Sequence, residues 1–422
     1  MNYLLITQGS HGDVLPFTGL GRRLRERGHR VTLVTNGHFQ EEASANGFDF
    51  VPIGTDEDYQ EEFANPEIWQ SIAGFMTLGR WIARSMPIQY QAILERYEKD
   101  NTAVVASSAA FGARIAHEKL GVPLVTLLLQ PALLRSAHKM PVVAGLPRFP
   151  GWVPPIAMRG FFRVFDVIED YIVRANEVNA FRAALGLPPV KRLVDKWWLS
   201  PQRVIALFPD WFAPLQPDWP AELRTTSFPL CDGCTTDAAL PDEVKEFLEK
   251  GEPPIVFTPG TAMMHGKSFF AAAVRACELL GRRGLLLTRF TDHLPDRLPP
   301  AVRHFSYVPF GQLLPRAAAI VHHGGIGTLA QALAAGIPQL IMPLAYDQPD
   351  NARRLKEMGV GDSLKPARFR GPAAARKLAR LLESPDVAAK CRSLAKLMDG
   401  PAALERACEF IEALAGRRSL ST

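Results

Sequence analysis

Residues 319–342, AIVHHGGIGTLAQALAAGIPQLIM, decide the fold class of this chain. The apolar run 319–322 predicts a strand, and a glycine-rich turn follows it. Helical periodicity runs from Thr328 to Ala335, before a second apolar strand at 339–342. A strand, a crossover helix and a second strand form the unit that joins parallel strands, so this stretch predicts an α/β protein.

The same order of elements recurs in both halves of the chain. In the first half, residues 3–7 and 31–35 predict strands on either side of a helix at 17–27, which Gly28 ends. In the second half, a similar series starts with a strand at 255–258. Repeated units of this kind build doubly wound sheets, so we predict two facing Rossmann-like domains. Ligands bind such sheets outside the carboxyl ends of the strands, which places the expected active site in the cleft between the domains.

Length and charge limit the domain organisation and the classes of partner. The 422 residues fit two domains, predicted at 1–225 and 246–400, with a linker at 226–245 and a helical tail at 401–422 that could cross back to the N-terminal domain. Lys and Arg number 48 against 43 Asp and Glu, a net charge of +5, so no nucleic-acid partner is expected. An apolar run of membrane-spanning length and a basic leader are both missing from the sequence, which predicts a cytoplasmic protein.

The glycine-rich turn after the strand 319–322 is a candidate cradle for a diphosphate. Gly324, Gly325 and Gly327 let main-chain amides approach an oxyanion, and the start of a helix adds unpaired N–H donors. His322 and Thr328 offer side-chain donors to the same phosphate oxygens. The alternative is a tight turn whose glycines serve only packing, and the two polar side chains favour the phosphate interpretation.

Two further segments carry side chains suited to sugar binding and proton transfer. Asp347 and Gln348 follow the strand 339–342, and a carboxylate beside an amide can bind vicinal hydroxyls. Asp13 lies in the glycine-rich loop after the first strand and is a candidate general base, with His11 as the competing base. Both aspartates could instead cap the helices that begin there.

Residues 321–328 and 343–352, and the Gly12-Asp13-Val14 loop with Pro16-Phe17, resemble the donor-phosphate, sugar-contacting and GDV-x-PF segments of family 1 glycosyltransferases. The resemblance covers essentially the whole chain and implies the GT-B fold, with two Rossmann-like domains. Residues 113–119 and 211–214 are similar to the rhamnosyltransferases of rhamnolipid synthesis. The family implies inverting transfer of a hexose from a UDP-glucose or dTDP-rhamnose type of donor to a hydroxyl group, with no cofactor and no metal ion.

The resemblance also implies roles for individual residues. The implied donor site comprises His322, Gly324, Gly325, Gly327 and Thr328 at the diphosphate, with Gly260 and Thr261 beside them, Asp347 and Gln348 at the sugar, and Tyr307 and Val308 at the nucleobase. The plant branch of the family uses a histidine base that an aspartate orients. Here Asp13 takes the place of that histidine and Ser107 the place of that aspartate. A carboxylate base needs no partner to set its tautomer, so the paired change favours Asp13 over His11.

The acceptor and the remaining alternatives are less sharply defined by the sequence. Large apolar residues at 69–86 and 161–165 predict a hydrophobic small-molecule or lipid acceptor, with core packing as the alternative. Arg159, Arg163 and Arg174 could bring this face transiently to an anionic membrane, or simply be solvated. An epimerase that releases the nucleotide without an acceptor, and a non-catalytic protein that binds a nucleotide sugar or a lipid, are the competing functions. The acidic pattern at 56–58 resembles a metal site, but a solvated acidic face is favoured.

Overall fold

The computed structural model describes residues 1–147, 149–231, 240–260 and 266–416, which divide into two compact units. The N-terminal unit comprises the described residues of Met1–Pro141, Gly145–Pro229 and Gly400–Thr422. The C-terminal unit comprises Val142–Ala144 and the described residues of Leu230–Asp399. Among all these residues, the helices are too short or too polar to cross a membrane.

A parallel sheet forms the centre of the N-terminal unit. Its strands are β1 (Asn2–Ile6), β2 (Arg30–Thr35), β3 (Asp49–Pro52), β4 (Thr102–Ser107), β5 (Leu124–Leu128), β6 (Arg203–Ala206) and β7 (Leu223–Thr225). Their order in the sheet is β3-β2-β1-β4-β5-β6-β7. Leu4, Leu5 and Ile6 are all fully buried, because helices cover both faces of such a sheet. Ile6 lies beside Val34 and Ala106 in register, so the loops after β1, β2 and β4 lie at one edge.

Helices connect these strands. They are α1 (His11–Glu26), α2 (Gln40–Ala45), α3 (Asp56–Ala64), α4 (Ser71–Arg96), α5 (Phe111–Leu120), α6 (Pro155–Ile172) and α7 (Ala175–Ala184). The sequence pattern predicts a helix over residues 111–120, and α5 has these bounds. Helix α1 begins at His11, so the prediction of a loop through Asp13 and a start at residue 17 was wrong. The Asp13 Oδ2 atom accepts hydrogen bonds from the N–H and O–H groups of Ser10, which stabilise the earlier start.

A second parallel sheet forms the centre of the C-terminal unit. Its strands are β8 (Ile255–Thr258), β9 (Gly284–Leu287), β10 (Val302–Phe305), β11 (Ala319–His322), β12 (Gln339–Ile341) and β13 (Gly361–Ser363). Their order is β10-β9-β8-β11-β12-β13. Strands β8 and β11 have the predicted bounds. The two sheets confirm the α/β, Rossmann-like fold class that the sequence predicted.

Helices also flank the second sheet. They are α8 (Asp242–Glu249), α9 (Lys267–Leu280), α10 (Phe310–Leu313), α11 (Ile326–Ala335), α12 (Gln348–Met358), α13 (Gly371–Glu383) and α14 (Pro385–Ala395). On one face, Phe269 of α9 stacks on Phe369 with ring centroids 5.1 Å apart, inside a core that includes Phe257 and Val321. Leu313 and Leu333 are buried as well. The strand ends that carry the candidate donor site are therefore anchored in a packed core.

The last helix, α15 (Gly400–Gly416), packs against α1 in the N-terminal unit. Arg27, which follows α1, donates to Glu405 at 2.6 Å and also pairs with Glu412. The Nε2 atom of His29 lies 2.8 Å from the second oxygen of Glu412. These three pairs of charged or titratable side chains hold α15 to the first βαβ unit. All of the side chains are partly exposed, so each pair contributes at most about 1 kcal/mol to stability.

Helices α4 and α6 approach each other closely at Gly79. A Cβ atom built on Gly79 would lie 1.8 Å from the carbonyl oxygen of Ile172, at the end of α6. Real atoms do not approach so closely, so only glycine fits there without a shift of the backbone. Gly160, inside α6, has open space around the corresponding position.

We expect Gly79→Ala to lower the free energy of unfolding by about 2 kcal/mol or more, because backbone atoms of α6 must move to admit the methyl group. Gly160→Ala is the matched control, and it should leave stability unchanged or raise it by up to about 1 kcal/mol, since alanine favours helix. Urea unfolding of the two variants and the wild type measures the difference. Equal midpoints for Gly79→Ala and the wild type would contradict the close contact of α4 and α6.

Candidate functional site

Two glycine-rich loops meet at the carboxyl ends of β8 and β11. The two strands pair in parallel, with Thr258 opposite His322. Gly260, shortly after β8, has φ +102°, and a Cβ atom there would lie 2.8 Å from Cε1 of His323. A side chain at this position would be strained and would also collide with the imidazole ring. Gly260 thus lies beside the turn that follows β11, whereas Thr261 lies outside the described residues.

His322 ends β11 and is 0% exposed. Its Nδ1 atom accepts a hydrogen bond from the N–H of Gly324 at 3.1 Å, and its Nε2 atom lies 3.0 Å from the Oε1 atom of Gln339 on β12. These contacts place the proton on Nε2, and burial lowers the pKa of His322 to about 3. The phosphate contact that the motif implied for His322 would require one of these bonds to break.

His323 is the histidine that the two loops enclose. Cβ atoms built on Gly260 and Gly325 would lie 2.8 Å from its Cε1 atom and 2.5 Å from its Nε2 atom. Its Nδ1 atom is buried and has no hydrogen-bond partner among the residues that the structure describes. Burial also lowers the pKa of His323 to about 4, so the ring is neutral at physiological pH. The sequence analysis assigned no role to His323, and nothing local distinguishes the two histidines, since Gln339 lies 17 residues from His322.

The start of α11 lies beside this ring. Gly325 is the N-cap residue, so the amides of Ile326, Gly327 and Thr328 belong to the first turn, where N–H groups lack intrahelical acceptors. Among the described residues, and apart from the chain neighbours and the helix's own backbone, no atom lies within 4 Å of a Cβ position on Gly327, so the main chain is open on that side. The positive end of the helix and a neutral histidine therefore meet at one point, which suits the binding of an anion.

Asp347 and Asn351 connect the predicted sugar segment to this loop. Asp347 is the N-cap residue of α12, but its side chain does not cap the helix. Its Oδ2 atom instead accepts a hydrogen bond from the amide of Asn351 at 2.6 Å. The same amide donates to the carbonyl oxygen of Gly324 at 2.9 Å. Asn351, which is fully buried, thus holds the carboxylate and the glycine loop in a fixed relation.

Gln348 and Asp350 serve the same helix mainly through structural contacts. The Gln348 Oε1 atom accepts hydrogen bonds from the main-chain N–H groups of Leu344 at 2.7 Å and Ala345 at 3.1 Å. Its carbonyl oxygen is therefore already used by the turn that precedes α12. Asp350 is 0% exposed and pairs with Arg354 and Arg353, which hold its pKa below the usual range although burial alone would raise it. It also accepts a hydrogen bond from the N–H of Val142 at 2.9 Å.

The residues predicted at the nucleobase lie between β10 and α10. Tyr307 is 47% exposed, which leaves much of its ring open to a planar ligand. Val308 is buried in the core beside Leu313, so its side chain packs inward, as expected for a residue that would act through its backbone.

In the N-terminal unit, Asp13 and His11 lie in the first turn of α1. The N-cap residue of α1 is Ser10, so Asp13 does not cap the helix in the way the alternative required. Asp13 instead completes a capping box, because its Oδ2 atom accepts hydrogen bonds from the N–H and O–H groups of Ser10 at 2.9 and 3.0 Å. Burial nevertheless raises the pKa of Asp13 above its ordinary value, and the two Ser10 bonds lower it by less. The ring of His11 contacts the rings of His38 and Phe39 edge to face, with centroids 5.3 and 5.0 Å apart.

Ser107, at the predicted place of a base-orienting aspartate, ends β4 next to β1. Its Oγ atom is buried and has no hydrogen-bond partner in the described part of the chain. The acidic pattern at 56–58 begins α3. There Thr55 caps the helix by accepting a hydrogen bond from the N–H of Asp58, and Oδ2 of Asp58 accepts one from the N–H of Thr55. An oxygen of Asp56 lies 2.5 Å from Nδ1 of His38. Across the described ranges, no group of three or more His, Cys, Asp or Glu residues is arranged to hold a metal ion.

The apolar residues predicted for the acceptor site divide between two environments. Ile82 and Met86 belong to the buried core of the N-terminal unit, as the core-packing alternative requires. Phe162 is buried against Ala137 and Met158. Ile72, in contrast, is exposed.

Both halves of the chain match known protein families. Residues 3–138 match the glycosyltransferase family 28 N-terminal domain. Residues 288–412 match the C-terminal domain of proteins similar to the erythromycin biosynthesis protein CIII. The chain is 29% identical to O-mycaminosyltylonolide 6-deoxyallosyltransferase of Streptomyces fradiae, over 99% of each chain.

Solved structures share the whole fold at low sequence identity. The glycosyltransferase of kitacinnamycin superposes with a TM-score of 0.74 at 19% identity, covering 98% of this chain and 99% of that one. The spinosyn rhamnosyltransferase SpnG, complexed with thymidine diphosphate, gives a TM-score of 0.68 at 20% identity, covering 97% of this chain and 100% of that one. These likenesses agree with two Rossmann-like units in one chain.

The lowered pKa values of His322 and His323 predict a loss of stability in acid. An unfolded histidine titrates near pH 6.5, whereas the folded pKa values are about 3 for His322 and about 4 for His323. As the pH falls below 6.5, the unfolded state binds protons that the folded state does not, so each histidine lowers the free energy of unfolding by about 1.4 kcal/mol per pH unit. This contribution is absent at higher pH, where both states are neutral.

His323→Asn should remove one of these protons and make the free energy of unfolding fall less steeply between about pH 6 and pH 5. Urea unfolding of the wild type and the variant over this interval measures the two slopes, whatever their absolute stabilities. Identical slopes would mean that His323 is as readily protonated in the folded protein as in the unfolded chain.

Proposed function

We propose, because the chain belongs to the family 1 glycosyltransferases of the GT-B type, that it transfers a hexose from a UDP- or dTDP-sugar to a hydroxyl group of an apolar small molecule, with inversion and without a metal ion. Transfer of a sugar from a nucleotide donor to a small-molecule acceptor is the general activity of this enzyme class. The observation that carries the finer proposal is the buried Nδ1 atom of His323, which has no hydrogen-bond partner among the described residues, in a ring that lies beside the first turn of α11.

The leaving group explains why this arrangement suits a nucleotide sugar. When the bond from the anomeric carbon to the diphosphate breaks, negative charge develops on the diphosphate oxygens. Preorganised donors aimed at that charge stabilise the transition state more than the ground state. A neutral imidazole N–H of His323 and the amides at Gly327 and Thr328 would supply those donors, so the mechanism does not call for a bound cation.

Among the two histidines, we assign the phosphate contact to His323 and a supporting role to His322. His322 already uses both ring nitrogens, for Gly324 and Gln339. Gly260 and Gly325 lie against the ring of His323. Because these glycines have no side chains, the main chains of both loops can approach the ring. In this proposal, His323 contacts the ligand, whereas His322 stabilises the loop through hydrogen bonds within the protein.

The sugar and the base of the donor would contact Asp347 and Tyr307. The Asp347 carboxylate is not used for capping, and Asn351 fixes its orientation. It can therefore accept hydrogen bonds from sugar hydroxyl groups. Gln348 contributes less than the motif implied, because its carbonyl oxygen is held by two main-chain amides. Tyr307, half exposed after β10, offers a ring to a pyrimidine base.

Asp13 would be the general base of the N-terminal unit. Its carboxylate takes the proton of the acceptor hydroxyl as that oxygen bonds to the anomeric carbon and the diphosphate leaves. Burial raises the pKa of Asp13, which makes it a better proton acceptor than an ordinary aspartate. Its hydrogen bonds with Ser10 also fix its position.

The names of the relatives support a deoxysugar donor and an apolar acceptor. The Streptomyces fradiae relative is named for the transfer of 6-deoxyallose to a tylonolide, and SpnG was crystallised with thymidine diphosphate. We therefore rank a dTDP-deoxyhexose before UDP-glucose. A closer relation to the rhamnosyltransferases of rhamnolipid synthesis stays a prediction, as does a lipid acceptor.

The function is tested by incubating the protein with dTDP-rhamnose or UDP-glucose, a panel of apolar alcohols and phenols, and EDTA. We expect nucleoside diphosphate to be released only when donor and acceptor are both present, with an acceptor glycoside of inverted anomeric configuration detected by NMR. Release without acceptor would favour the epimerase alternative. Loss of turnover in EDTA would contradict the metal-free mechanism.

The role of His323 is tested by two substitutions that differ in one donor group. His323→Leu should lower kcat by about a hundredfold, because it removes a donor to the leaving diphosphate. His323→Asn should retain much more activity, since the asparagine amide can occupy the place of Nδ1. Steady-state kinetics with the preferred donor measures both. If the two variants lost activity equally, the Nδ1 donor would not be the important feature.

The role of Asp13 is tested by separating its charge from its hydrogen bonds. Asp13→Asn can keep the bonds with Ser10 but cannot take a proton, so kcat should fall by about a hundredfold or more with little change in stability. In the wild type, kcat/KM should rise with pH as Asp13 ionises, because only the carboxylate is a base. Ser10→Ala is the control for capping alone, and it should lower stability more than activity. Full activity of Asp13→Asn would exclude this residue as the base.

A further inference from the structure

Helix α6 directs its carboxylates toward the protein, beside the buried Met158 and Phe162, and leaves other large apolar side chains exposed. Asp166, only 3% exposed, pairs with Arg135 and Arg192, and Glu169 accepts a hydrogen bond from Arg135 at 2.7 Å. Asp170 accepts hydrogen bonds from the main-chain N–H groups that follow α7, at Arg192 and Leu193. A helix on a globular protein normally has the opposite polarity.

The outward face of α6 is a continuous apolar stripe. Its members are Ile156, Val164, Val167, Ile168 and Tyr171, with Trp152 just before the helix, and Val167 is 72% exposed. At 100° per residue, the helical members fall within an arc of about 120°. Isolated exposed apolar residues are common, but a stripe of this length on one helix indicates a binding surface.

The charges exposed beside this stripe are positive. Arg159 and Arg163 are both exposed on α6, whereas the carboxylates of the helix are held by the inward contacts described above. Arg174, which the sequence analysis grouped with them, pairs with Glu177 at 2.6 Å and is largely neutralised. The described face of α6 therefore combines apolar side chains, a tryptophan and two arginines without an exposed carboxylate.

We propose that α6 docks in the plane of an anionic lipid surface, with the stripe from Ile156 to Tyr171 in the headgroup region and Arg159 and Arg163 on lipid phosphates. Helices that lie on membranes combine an apolar face, cationic residues and an aromatic anchor in this way. Arg135 and Arg192, which both pair with Asp166, hold the polar face of α6 on the protein and so keep the apolar stripe outward.

Two other occupants fit the surface less well. A second copy of the chain would place the arginines of one stripe near those of the other, and like charges repel. A single small molecule could cover only part of a convex helix face, because small-molecule sites are concave. An anionic lipid surface can contact the whole length of the apolar stripe, and its negative charge complements Arg159 and Arg163.

The test is co-sedimentation of the full chain with vesicles of phosphatidylglycerol and phosphatidylcholine, compared with phosphatidylcholine alone. The wild type should sediment with the anionic vesicles, and added salt should weaken this binding. Val167→Glu should reduce binding by about tenfold or more, because it places a charge in the apolar stripe. Arg159→Gln with Arg163→Gln should reduce it by about 25-fold, since each arginine contributes about fivefold.

Matched control variants alter the same chemistry elsewhere on the surface. Leu397→Glu changes an exposed leucine of the C-terminal unit, and Arg370→Gln with Arg376→Gln removes two exposed arginines there. Both controls should bind vesicles as the wild type does, and thermal unfolding verifies that every variant is folded. Failure of the wild type to bind anionic vesicles, or unchanged binding by Val167→Glu, would overturn the proposal. A concentration-dependent dimer that Val167→Glu abolishes, without vesicle binding, would assign the stripe to self-association instead.

Discussion

The candidate donor site depends on one hydrogen bond, from the N–H of Gly324 to Nδ1 of the buried His322. Because His322 is neutral and its Nε2 atom is held by Gln339, the ring is a fixed acceptor at the end of β11. The bond fixes Gly324 at φ +100°, where a Cβ atom would also lie 2.8 Å from Ile341. The chain then turns so that Gly325 caps α11 and His323 lies beside Gly260.

Many of the polar groups that resemble ligands of a nucleotide sugar also hold the site together. Asp13 completes the capping box of α1, Gln348 stabilises the turn before α12, and Asn351 joins Asp347 to the carbonyl oxygen of Gly324. A buried polar group without a partner is costly, so most of these contacts are already made within the protein. In the turn from β11 to α11, the buried Nδ1 atom of His323 has no hydrogen-bond partner among the described residues, and this is where we propose that the diphosphate binds.

Buried charge has a comparable role away from this loop. Asp350 lies inside the C-terminal unit, where Arg353 and Arg354 compensate it and the N–H of Val142 contacts it. In the N-terminal unit, Arg135 and Arg192 compensate Asp166 beneath α6. In both places the arginines offset the cost of burying a carboxylate. The carboxylate in turn holds a neighbouring segment in place, namely Val142 in one case and α6 in the other. Removing one partner would leave an uncompensated charge and destabilise the segment.

The sequence by itself determined the two α/β sheets, the bounds of β8, β11 and α5, and the segments of the candidate donor site. These features depend on short-range patterns: apolar runs, helical spacing and glycines at turns. The tertiary structure alone decided which neighbouring histidine is held internally, where α1 begins and which face of α6 is outward. Those outcomes depend on hydrogen bonds made by Gln339, Ser10 and Arg135. Such bonds form only when the chain packs, so local periodicity in the sequence does not predict them.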